Sequence, residues 1–225
     1  MPVIRYVLMF LVGAACFYLL NGIIISAVGT IRIKEGYRRL FSGGVKFRYF
    51  LTAVTGGIAA LASALWQETL PAAVTLFALL ALMLLVTVVD IDTMEIPNGF
   101  AAAIFVVALV SCLTMPGTSL IARVIGFFCV SVPLLLLTLL IPGAFGGGDI
   151  KLMAACGFFL GWKLNLIALA IGIFTGGIWG IWLLATKKKE RKEHFAFGPF
   201  LCVGVVCAWF LGERLLDWYW GFLIL

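Results

Sequence analysis

The chain has 225 residues, of which 64% are hydrophobic and only 12% charged, about half the charge that a soluble domain carries. That balance excludes a soluble enzyme, a disordered protein and a secreted disulfide scaffold. The net charge of +6 raises the question of nucleic acid, but eleven of the sixteen cations fall in two short loops between apolar runs: Arg32, Lys34, Arg38, Arg39, Lys46 and Arg48, then Lys187, Lys188, Lys189, Arg191 and Lys192. Such loops are what cytoplasmic segments of membrane proteins carry. They predict contact with anionic lipid headgroups and no nucleic-acid partner.

In chain order, apolar runs bounded by charges, Gly and Pro predict about eight transmembrane helices, near 6–29, 50–66, 71–89, 99–115, 120–141, 150–162, 165–185 and 197–213. The fold class is therefore an all-α, polytopic membrane protein, read as a single domain over 1–225. Arg5 ahead of the first run resembles a signal peptide. Ala14-Ala15-Cys16 is an imperfect processing site, however, and the run continues to Ile25, so an uncleaved helix is expected. The sixth run is short and is expected to tilt or to sit partly within the protein.

If the loop at 30–49 is cytoplasmic, so are 90–98, 142–149 and 186–196. Twelve cations then lie inside, and only Arg5, Arg123, Lys163 and Arg214 outside. A seven-span chain would place the two basic loops on opposite faces. The six cysteines (Cys16, Cys112, Cys129, Cys156, Cys202, Cys207) all sit in apolar runs without a C-x-x-C pair, and read as small hydrophobes. His194, the one histidine, lies in a Lys-rich loop and reads as solvated.

Of the ten acidic residues, Glu35, Glu190 and Glu193 sit among cations, and Glu68, Glu213 and Asp217 near the outer face. The remaining four, Asp90, Asp92, Glu95 and Asp149, occupy two cytoplasmic turns. Asp90 ends the run Leu84-Leu85-Val86-Thr87-Val88-Val89, at or just below the membrane surface, where a carboxylate is expensive and a functional role is the default. Asp92 and Glu95 are expected nearer water. In the second turn, Gly146-Gly147-Gly148 is expected to break the fifth helix, to permit unusual backbone geometry and to let another backbone approach. Asp149 then starts the sixth helix, where the helix dipole favours a carboxylate and an N-cap role alone would explain it.

Together the turns place two carboxylates at one face and similar depth. A close pair in a low-dielectric setting shares one proton, which suits acid–base chemistry on water. Ser–His–Asp and Cys–His sets lack a base near the core, and a zinc site would have few ligands.

Asp90-x-Asp92-x-x-x-Ile96-Pro97-Asn98 and Gly146-Gly147-Gly148-Asp149-Ile150-Lys151 resemble the two signature motifs of the type IV prepilin peptidases, polytopic aspartic proteases of the Gly-x-Gly-Asp class. Phe197-Gly198-Pro199-Phe200 resembles the hallmark that opens the family's last helix, and Lys46-Phe47-Arg48-Tyr49 the stretch after its cytosolic insert. The likeness covers about 45–210. It implies cleavage of prepilin or pseudopilin leader peptides at the cytoplasmic face of the inner membrane, with Asp90 and Asp149 as the catalytic pair and neither metal nor other cofactor. Gly146, Gly147, Gly148, Pro97 and Lys151 would support them, and Lys151 would position the Asp149 turn or meet an acidic substrate group.

The family's insert carries two C-x-x-C pairs linked with zinc and N-methylation. Here Ile31 to Tyr49 has no cysteine and is far shorter, so the expectation is a protease without zinc or methylation. Two other classes stay open. Asp90, Asp92, Glu95 and Asp149 could hold Mg²⁺ in a lipid-phosphate transferase, or Asp90 and Asp149 could serve a proton-coupled transporter or assembly subunit.

Overall fold

The computed structural model describes residues 2–28, 45–186 and 196–223. Most of the first basic loop, the cations of the second and His194 lie outside them. The described residues form eight helices and no strand: α1 (Pro2–Val28), α2 (Val45–Trp66), α3 (Leu70–Thr93), α4 (Asn98–Thr114), α5 (Leu120–Leu140), α6 (Gly147–Leu160), α7 (Trp162–Ala185) and α8 (Gly198–Leu223). Four helical segments are long and apolar enough to cross a membrane: Leu70–Thr93, Leu120–Leu140, Trp162–Leu183 and Gly198–Phe222. Three further apolar helical segments, Tyr6–Leu19, Phe50–Trp66 and Asn98–Thr114, are shorter. Large apolar side chains face outward, with Leu113, Ile121, Leu139 and Leu140 each at least 70% exposed. Water would not tolerate such a surface, whereas lipid does. The protein is a polytopic, all-helical membrane protein.

The chain divides into two compact units, 1–85 and 86–225. In the first, α1 packs along α2. Phe17 is buried against the bare backbone of Gly56, where any Cβ would collide with its ring. Small residues allow this close approach, which drives helix association in lipid. Phe17 also meets Phe77 of α3 edge to face at 6.2 Å.

In the second unit α6 is the centre, packed by α4, α5, α7 and α8. All nine residues from Leu152 to Leu160 are buried. Protein rather than lipid surrounds this helix, so its 14 residues need not match a bilayer. Gly126 of α5 and Gly157 of α6 meet backbone to backbone, and a Cβ on either would strike the other's carbonyl. Asn165 of α7 binds both neighbours, donating from Nδ2 to the carbonyls of Gly126 (2.9 Å) and Met153 (3.3 Å).

Arg123 is counted above as an outer, topological charge, yet it is only 2% exposed. Its guanidinium donates to the Ser111 hydroxyl (2.6 Å) and to the carbonyls of Ser111, Met115, Thr118, Phe158 and Phe159 at 3.0–3.3 Å. The last carbonyls of a helix have no partner within it. Arg123 supplies one for the C-terminal ends of both α4 and α6, using the forked donor set that only arginine carries.

Several boundaries differ from the sequence expectation. The fifth helix ends at Leu140, six residues before Gly146, with Ile141 as C-cap and Gly143 at φ +85° in the turn. The Gly146–Gly148 run does not break that helix; it opens the next. The eighth helix runs ten residues past the expected end at 213, to Leu223. Glu213, Arg214 and Asp217 end an apolar run without ending a helix, because charge is no helix breaker.

Candidate active site

α3 continues one turn beyond the expected span end, so Asp90 is a helical residue rather than a loop residue. It is 4% exposed. Its Oδ2 accepts the backbone N–H of Gly198 at 2.9 Å, at the start of α8. The first N–H groups of a helix lack internal partners and carry positive partial charge, so a carboxylate is a matched acceptor. Pro199 in the same turn loses nothing, since its missing N–H would have been unpaired. A Cβ at position 198 would stand 2.6 Å from Asp90 Oδ2, so any larger residue there would have to displace the carboxylate.

α3 then stops sharply. The Thr93 hydroxyl donates to the carbonyls of Val89 (2.8 Å) and Glu95 (3.0 Å), and Met94 takes φ 55°. The chain reverses through Ile96 to Pro97, whose extended backbone caps α4. Asp92 is half-buried and Glu95 exposed.

Gly146, not Asp149, is the N-cap of α6. Asp149 is the third helical residue, and its Oδ2 reaches back to accept the Gly146 N–H at 3.3 Å. This carboxylate is half-buried and precedes the sixth predicted span. Burial lifts its pKa to about 6, opposed by the hydrogen bond from Gly146. None of the three glycines takes unusual torsions, and Gly148 serves proximity; among the described glycines only Gly143 and Gly161 have positive φ. At Gly148 a Cβ would lie 2.8 Å from Ile96 Cβ and 3.1 Å from its carbonyl oxygen. At Gly146 it would come within 3.1 Å of Asp149 Oδ2, while at Gly147 it would meet open space.

These turns converge. Asp90 and Asp149 lie within electrostatic reach of each other, and the buried Cys202 thiol within reach of both. Cys202 stands one turn after Gly198 and also bonds Thr87. Lys151 Nζ donates to Asn98 Oδ1 at 2.7 Å and ties the first turn of α6 to the first residue of α4. Phe145, in the turn before Asp149, and Phe197, directly before Gly198, meet edge to face at 5.7 Å. Among the described residues no group of three or more His, Cys, Asp or Glu is placed to hold a metal ion. Asp92 and Glu95 therefore do not complete a four-carboxylate cluster with the pair.

Sequence reasoning did not single out Ile96, Gly198 or Cys202 as members of this arrangement. Ile96 and Gly198 stood inside quoted motifs, and a glycine at a helix start was the available signal. Cys202 looked like any apolar cysteine.

Fold and site together define a class: a polytopic helical membrane protein with two carboxylates, at separate helix ends, within electrostatic reach of each other. Comparison with known proteins shows what the chain is similar to. The sequence model of the type IV leader peptidase family matches residues 76–181, a segment that contains both acids. A prepilin leader peptidase/N-methyltransferase of Legionella pneumophila is 33% identical over 154 residues, 65% of this chain and 54% of the relative. One from Bacillus subtilis (strain 168) is 28% identical over 62% of this chain and 56% of its own length. One from Pectobacterium carotovorum subsp. carotovorum is 31% identical over 76% and 63%. The resemblance drawn from the motifs is thus shown, and the chain is related to the type IV leader peptidase family. It spans about half the length of the first two relatives. No solved structure matches the chain significantly.

Proposed function

We propose that this chain is a prepilin leader peptidase: a membrane aspartic endopeptidase that cuts the leaders of type IV prepilins or pseudopilins at the cytoplasmic face of the inner membrane. Residues 1–225 are read as one peptidase domain. The observation that carries the reading is that Asp90 and Asp149, at the ends of α3 and α6, lie within electrostatic reach of each other, inside the segment that matches the family.

In this reading the pair shares one proton. The ionised carboxylate takes a proton from water as its oxygen bonds to the scissile carbonyl carbon. The protonated carboxyl donates to the carbonyl oxygen and stabilises the tetrahedral intermediate. Collapse breaks the C–N bond, and the amine leaves with the proton first taken from water. Lys151, Gly146, Gly148 and Pro97 hold the two turns in register, and the basic loops anchor the chain to anionic lipid. The relatives' names join a peptidase to an N-methyltransferase. Only the first activity is proposed here, because the loop from Ile31 to Tyr49 contains no cysteine.

The test is cleavage of a co-expressed prepilin, followed as a gel shift. Asp90→Asn and Asp149→Asn should each lower cleavage by about 10²–10⁴-fold, at membrane levels equal to wild type and without response to a chelator. Retained cleavage in either variant overturns the pair, and chelator sensitivity points to a metal-dependent reaction.

A further inference from the structure

We infer that Ile96 is a positioning residue, a spacer held between the Gly148 turn and the start of α8 that fixes how Asp149 stands relative to Asp90. The inference rests on the reading of these two acids as the working pair. Ile96 meets both sides through bare backbone. The Cβ position of Gly148, the residue directly before Asp149, lies 2.8 Å from Ile96 Cβ and 3.4 Å from its Cα. The Cβ position of Gly198, whose N–H holds Asp90, lies 3.1 Å from Ile96 Cδ1. One side chain thus touches the backbone that carries one acid and the backbone that grips the other.

Ile96 suits a spacer. A β-branched side chain is stiff at χ1, and the proline that follows restricts its backbone to extended conformations. Its turn is fixed on both flanks, by the Thr93 hydroxyl bonds before it and by the Lys151–Asn98 bond two residues after it. Displacements of about 1 Å at reacting groups cost up to a hundredfold in rate, so a spacer of this kind acts on kcat rather than on substrate affinity.

The experiment compares wild type, Ile96→Val and Ile96→Ala, purified at equal monodispersity. Prepilin cleavage gives kcat and KM. Infrared titration of ¹³C-aspartate protein, assigned with the two Asp→Asn variants, gives the separation between the titration steps of the two carboxyls. Ile96→Ala should lower kcat about tenfold or more with KM within about twofold, and should narrow that separation. Ile96→Val loses only the Cδ1 that meets Gly198 and should fall between. If Ile96→Ala does not accumulate, Ile96→Val alone decides, by the same two shifts in smaller measure. Unchanged titration steps overturn the inference whatever happens to kcat, because a fall in rate alone would then reflect looser folding. Narrowed steps in a wild type background that cleaves no prepilin would leave the spacer standing and overturn the peptidase reading instead.

Discussion

Gly146, Gly147 and Gly148 are equivalent in the sequence and unlike in the fold. A methyl group at 147 enters open space, whereas one at 148 must displace the Ile96 backbone, which no rotamer change relieves. Gly147→Ala should therefore leave both stability and cleavage near wild type. It should even gain a few tenths of a kcal/mol from helix propensity, since alanine exceeds glycine by about 1 kcal/mol inside a helix. Gly148→Ala should cost about 1–3 kcal/mol as overpacking and should separate the two carboxylate turns. Unfolding in SDS titrations alongside the cleavage assay checks both, and equal behaviour of the two variants would contradict the geometry. Both acids of the candidate pair stood out in the sequence, Asp90 as a carboxylate ending an apolar run and Asp149 as one that follows three glycines and precedes the next run. Which glycine matters was not legible, because that depends on a residue 52 positions away in sequence, Ile96.

At the scale of elements, α4 and α6 are each held at two ends by different chemistry. Their first turns carry Asn98, Asp149 and Lys151, and their last turns are gathered by Arg123. A span prediction reads Arg123 as one more charge near a membrane face, since its partners within other helices lie 12 to 36 residues away. Only packing reveals that a charge so placed is buried. The short sixth helix, by contrast, was legible: fourteen residues cannot face lipid on their own, and the fold encloses them. Arg123→Met keeps the stem of the side chain and removes every donor, so the carbonyls at the ends of α4 and α6 lose their shared partner. The expected loss is about 3 kcal/mol of stability, read as a lower SDS unfolding midpoint. Arg123→Lys should recover part of it, because an ammonium supplies donors without the planar fork. An Arg123→Met variant as stable as wild type would show that water replaces the guanidinium at no cost.

For the whole molecule, orientation follows from which helix ends carry which groups. The site groups Asn98, Asp149 and Lys151 lie at the N-terminal ends of α4 and α6, while the Arg123 contacts gather at the C-terminal ends of the same two helices. These are opposite ends of helices that run side by side in one unit. The positive-inside rule counts twelve cations on the side of the acid-bearing turns and four on the other. The proposed cleavage of prepilins at the cytoplasmic surface demands that same orientation. Reporter fusions after Glu95 and after Phe145 should therefore both score as cytoplasmic, and fusions after Gly117 and after Lys163 as external. A cytoplasmic score after Gly117 would mean that α4 does not cross, and the two acids would then have to approach substrate from different sides of the bilayer. The pair could not work as one site in that arrangement, so this map tests the shared position of Asp90 and Asp149 without any substrate at all.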